Sequence, residues 1–173
     1  MPMSKRQFRA WKARMEAIRQ SRDWDALFAL EDSGDFMYCL PDLLYGLAGP
    51  EGSPEPLNHP QRVLFLCMTL ENCAQCDSLF NFFDEGLSSY GLETAAALEE
   101  LGAPQSAALL REVLALLPPE GYPVDDYAAC RALCDGPFGQ AVEQADSRLA
   151  DYPDGLLGGL YFAYAHAHRE EFP

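Results

Sequence analysis

The side chains best suited to chemistry in this sequence are its cysteines. Cys73 and Cys76 form a CxxC in LENCAQC, Cys67 lies six residues upstream, and Cys130 and Cys134 stand four apart in CRALC. A redox CxxC opens a helix beside a sheet, where the helix dipole lowers the thiol pKa. Here the pair falls inside a helical pattern with no strand before it. Spaced at i, i+3, it could offer two zinc ligands. The other two would have to come from Cys39, Cys67 or His59, and no second compact pair with zinc spacing exists. The thiols therefore read as reduced, small hydrophobic side chains, and no metal or other cofactor is expected. His166 and His168 are two apart and point in different directions on a helix. Glu99-Glu100 and Asp125-Asp126 are adjacent carboxylates, whereas glycoside chemistry needs two facing across a cleft. The first pair reads as a solvated face and the second as a partner of a helix N-terminus. No P-loop or dinucleotide fingerprint occurs, and Gly158-Gly159 reads as a place for close helix packing. An enzyme is disfavoured.

Charge is unevenly spread along the 173 residues, whose formal net charge is −15. Residues 1–22 hold Lys5, Arg6, Arg9, Lys12, Arg14, Arg19 and Arg22 against Glu16 alone, giving +6 and leaving −21 for the rest. Such an acidic body repels nucleic acid phosphates and membrane surfaces, so no direct nucleic acid binding by it is expected. It would attract a basic partner, although solubility alone also favours acidity. No run approaches the ~18–20 apolar residues needed to span a bilayer. The start, MPMSKRQFRAW, is basic with no apolar segment after it, unlike a secretory signal. A cytoplasmic protein is expected.

The elements that must position these groups show period 3.6 throughout and no sustained period of two. Phe8, Trp11, Met15 and Ile18 form one apolar stripe on a basic helix. Ser21 or Asp23 can cap a second helix carrying Trp24, Leu27, Phe28 and Leu30, and Asp35 a third, where Pro41 predicts a kink or break. The Pro/Gly-rich stretch AGPEGSPEPLNHP is the clearest loop. The longest helix is expected at about residues 61–83, followed by a hairpin of 93–101 and 105–116, joined by Gly102-Ala103-Pro104. Further helices are expected at 125–133, 138–149 and 155–168. The expectation is an all-α, single-domain bundle of roughly eight or nine helices. It comprises an N-terminal helical segment at 1–47, a loop at 48–60 and a main domain at 61–173. The basic first helix could dock on the acidic body, reach a neighbouring subunit to give a homodimer, or touch an anionic partner.

From the long helix onward the order of motifs resembles a bacterial domain family of uncharacterised function typified by a DNA-mimic protein. The resemblance rests on LFNFFDEGLSSYG, ETAAALEELGAPQSAALLREVLALLP and QADSRLADYPDGLLGGLYFAYAHAHREEF, and covers about residues 62–173. Ala97-Leu98 followed by Leu101-Gly102-Ala103 is its firmest part. Asp77-Ser78 stands where the family has a glycine pair, and Leu79 where it has an aromatic residue. The resemblance implies an all-α fold and action by mimicry, with carboxylates imitating DNA phosphates toward a basic or DNA-binding protein. Candidate members of that surface, chosen at helix ends and loops, are Asp84, Glu85, Glu93, Glu99, Glu100, Asp125, Asp126, Asp151 and Asp154. The alternative is a small-ligand protein or enzyme with a pocket near Phe80, Phe82 and Phe83. A zinc-stabilised module is the third reading.

Overall fold

A computed structural model describes residues 3–76 and 78–173. Among them are ten α-helices, three short 3-10 turns and no strand, so the chain is all-α. The contacts divide it into two units. One takes the chain as far as Phe65 and again from Gly158 to Pro173; the other is Leu66–Leu157.

The first unit contains α1 (Lys5–Ser21), α2 (Trp24–Phe28), α3 (Ser33–Tyr45) and α10 (Gly158–Ala167). Helix α3 is its centre, packing against each of the other three. The apolar stripe of α1 turns inward at Met15 and Ile18, while Phe8 stays outside. Ser4 and Gln7 close a reciprocal capping box at the start of α1, satisfying two N–H groups that the first turn leaves over. Asp23 caps α2. Asp32, not Asp35, caps α3, its carboxylate accepting from the Asp35 N–H at 3.0 Å. That frees the Asp35 side chain to accept the Trp11 indole N–H at 2.7 Å. Pro41 does not break the helix, which runs unbroken for 13 residues. Helix α3 presents Phe36, Cys39, Leu40, Leu43 and Leu44 to the core, and this burial outweighs the lost hydrogen bond. Phe36 joins a ring cluster with Phe28 and Phe162, at centroid distances of 5.6 and 5.1 Å.

Helix α4 (His59–Cys76) begins with another reciprocal cap, Asn58 with Gln61. The side-chain amides of both also donate to the Glu171 carbonyl, at 2.6 and 2.7 Å. The long helix expected at about residues 61–83 is not one helix: α4 is His59–Cys76. Asp77 lies outside the described residues, and α5 (Phe80–Asp84) is a separate short helix. The Ser78 hydroxyl accepts the Phe80 N–H at 3.3 Å, and the Asp146 carboxylate takes the Leu79 N–H at 2.8 Å. These acceptors start a new helix.

The second unit continues with α6 (Gly91–Leu101), α7 (Pro104–Leu114), α8 (Tyr127–Cys134) and α9 (Pro137–Ala150). Helix α6 packs on α7, and α9 packs on both α7 and α8. The α6–α7 hairpin turns at Gly102, whose φ of 97° is a left-handed conformation suited to glycine, and Pro104 opens α7. Phe82 and Phe83 are fully buried, with Phe83 edge-on to Phe138 at 5.1 Å. That is the arrangement of a core, and it gives a ligand pocket at Phe80–Phe83 no support. Gly158 and Gly159 do not serve close packing. A Cβ would meet Met37 at an ordinary 3.5 Å on Gly158 and nothing on Gly159.

Close approach occurs instead at Gly139, where an added Cβ would stand 1.8 Å from the Cys134 carbonyl oxygen. The obstacle is backbone, so it cannot rotate away. Gly139→Ala should lower unfolding stability by about 1–3 kcal/mol, as overpacking does, in urea titrations followed by circular dichroism. A change under about 0.5 kcal/mol would contradict this contact.

Candidate functional site

Leu66–Leu157 carries sixteen carboxylate side chains and three arginines, a net −13; the remainder of the chain carries only −2. All nine candidate carboxylates lie in this unit. Its three arginines are each engaged: Arg111 with Glu99, Arg131 with Asp135 at 3.7 Å and Arg148 with Glu112 at 3.7 Å.

The candidates fall into groups with different roles. Glu93 sits in the first turn of α6, where the helix dipole favours a negative charge. Glu100 is seven residues further on the same stripe, about 10 Å along the axis. Both are exposed, as are Glu85, Asp125 and Asp151. Glu85 and Asp151 stand at the C-terminal ends of α5 and α9, where the dipole opposes them, so they add to the field without stabilising those helices. The Arg111 hydrogen bond holds Glu99 below the usual carboxylate range, against a smaller opposing effect of burial. That pair offsets part of the charge Glu99 would present.

Three candidates also hold structure. Asp126 caps α8, one oxygen accepting from the Ala128 and Ala129 N–H groups at 3.0 Å. Asp84 accepts from the Tyr122 hydroxyl at 2.5 Å. Burial, and then that hydrogen bond, push the Tyr122 phenol well above its ordinary range, so it serves as a donor. The Cys130 thiol lies 2.8 Å from the same hydroxyl, and burial raises the neighbouring Cys134 thiol. Asp154, half-buried, reaches the start of α7. It accepts from the N–H groups of Gln105 and Ser106 at 3.0 and 2.7 Å, and from the Ser106 hydroxyl at 2.7 Å. Burial alone would raise its carboxyl, but the bonds from Ser106 and Gln105 outweigh this and hold it below the ordinary value.

Sequence reasoning missed Asp146, the acceptor for Leu79, together with the exposed Glu112, Glu120, Asp135 and Glu143. Glu112 and Glu143 lie within α7 and α9, where selection by helix ends and loops passes over them, whereas Asp135 at the end of α8 and Glu120 in the loop before it met that criterion and were left out. No local signal marks Asp146, because its donor is 67 residues away. Cys73 is buried and Cys76 exposed, and all six cysteines are free. Among the described residues no group of three or more His, Cys, Asp or Glu side chains is arranged to hold a metal ion. Nor is any helix long and apolar enough to cross a membrane.

The fold and this charge distribution define an all-α protein with its acidity concentrated in one unit. A family model described as DMP19-like protein matches residues 55–168, and the chain belongs to that family. This is the DNA-mimic-type family that the motifs resemble. No protein of curated function and no solved structure matches the chain.

Asp154 allows a test with a defined sign. Its folded pKa is depressed, so its contribution is complete above the unfolded carboxyl value of about 3.9 and is lost as pH falls through the lower folded value. Asp154→Ala should cost about 1 kcal/mol near neutral pH, as losing a helix cap does. Urea titrations of both proteins should show that difference shrinking as pH drops below about 4. A difference that stays constant through that range would show the carboxylate charge is not what holds α7.

Proposed function

We propose that the protein is a non-enzymatic interaction protein whose Leu66–Leu157 unit presents carboxylates to a basic, DNA-binding protein in place of DNA. The observation that carries this reading is the net −13 of that unit, inside a family typified by a DNA mimic. Duplex DNA offers about one charge per 1.7 Å of axis. A protein imitates that field only with carboxylates fixed on rigid elements, as Glu93 and Glu100 are on α6, and with few cations in the unit that carries them. Of the nine candidates, Glu85, Glu93, Glu100, Asp125 and Asp151 would face the partner. Asp84, Glu99, Asp126 and Asp154 would contribute field while holding local structure. Six free thiols suit a cytoplasmic setting, where such partners are found.

The expected partner is retained by the immobilised protein, released by rising salt and displaced by duplex DNA. An affinity capture from host proteins that bind heparin, eluted separately with salt and with duplex, reads both. The variant Glu85→Gln/Glu93→Gln/Asp125→Asn/Asp151→Asn should bind the captured partner about tenfold more weakly, mainly through slower association. No retained protein, or a partner indifferent to duplex DNA and to the four substitutions, would overturn the reading.

A further inference from the structure

Helix α1 lies outside the family-matched residues and carries charge of the opposite sign. Its apolar side is already occupied: Met15 and Ile18 are buried and the helix packs on α3. On the outer side some cations are engaged. Lys12 pairs with Glu16 at 3.8 Å, Arg19 pairs with Asp42, and Arg22 donates to the Gly46 carbonyl at 3.2 Å. Lys5, Arg6, Arg9 and Arg14 are exposed, and among the described residues no carboxylate pairs with them. They span roughly 13 Å of helix. Beside them Phe8 is 52% exposed. It stacks on Trp11 at 5.6 Å with the planes 25° apart, and Trp11 in turn lies 5.1 Å from Tyr38. The indole N–H bond to Asp35 fixes the lower ring of this stack.

We propose that the exposed surface of α1 binds single-stranded nucleic acid, its cations meeting phosphates and Phe8, at the open end of the apolar stripe, offering a face for an unpaired base. Cations beside an exposed, supported aromatic ring are the combination by which single strands are held without sequence preference. A duplex keeps its bases stacked and could use only the cations. A membrane surface would need a wide apolar face, and beyond Phe8 the stripe is closed, with Met15 and Ile18 buried. An acidic peptide would use the cations and leave the Phe8 ring without a role. Repulsion from the chain's own carboxylates weakens as salt rises, the screening length being about 8 Å at physiological ionic strength.

The test is fluorescence anisotropy of a labelled oligothymidylate of about 20 nucleotides, titrated with the full chain from about 25 to 200 mM salt. Four phosphate contacts predict a slope of about −2.8 for log K against log salt. The variant Arg6→Ala/Arg9→Ala/Arg14→Ala should bind at least about tenfold more weakly, with a slope near −0.7. Phe8→Ala should lose about fivefold or more while keeping the wild-type slope. These positions are exposed, and circular dichroism checks that each variant is folded. Duplex of equal length, phosphatidylserine vesicles and polyglutamate are the competing probes, and each should bind more weakly than the single strand. The proposal is overturned by absent binding at the lowest salt, by Phe8→Ala binding like wild type, or by tighter binding to any competing probe.

Discussion

The crowding of like charge in Leu66–Leu157 is the constraint around which that unit is built. Its sixteen carboxylates, offset by only three arginines, repel one another in the folded state, and compact packing alone would make this worse. Several of the acids act as hydrogen-bond acceptors for exposed N–H groups. Asp126 takes two at the start of α8, Asp154 two plus a hydroxyl at α7, and Asp146 the one that begins α5. A carboxylate at a helix start meets the positive end of the dipole as well as its donors. The same residue type that strains the unit thus fixes where its helices begin.

The other unit answers a different demand. Its charge is close to balanced, and its stability rests on apolar burial around α3 and on rings from three segments of the chain. The polar groups that matter there act at ends: Ser4 with Gln7, Asp32 on α3, and Asn58 with Gln61 on α4. The cation excess of this unit is concentrated on α1, whose one carboxylate, Glu16, pairs with Lys12.

What could be read from the sequence was what local backbone chemistry decides. Gly102 and Pro104 mark the α6–α7 hairpin because a left-handed residue must end one helix and a residue lacking an N–H can begin the next. The all-α class followed from the 3.6 period, and the charge asymmetry from counting. The break after Cys76 was not legible, because apolar spacing continues through LFNFF and the acceptor that restarts the helix comes from α9. Asp35 and Asp32 are both competent caps, and only the indole of Trp11 assigns them. Asp154 was visible as an acid. Its role was not, since its donors are 48 and 49 residues away.

The grip of Asn58 and Gln61 on the Glu171 carbonyl, with the ion pair between Asp25 and Arg169, has a consequence for the order of folding. Leu66–Leu157 is continuous in sequence, so all its partners are present once residue 157 has left the ribosome. The other unit closes through contacts 110, 113 and 144 residues apart, and its ring cluster lacks Phe162 until the last stretch is made. Loop closure over such distances is entropically costly and slow. The acidic unit, closed within one continuous stretch, can therefore form before α1, α2 and α3 gain α10, and apolar surface left exposed in the meantime belongs to those N-terminal helices.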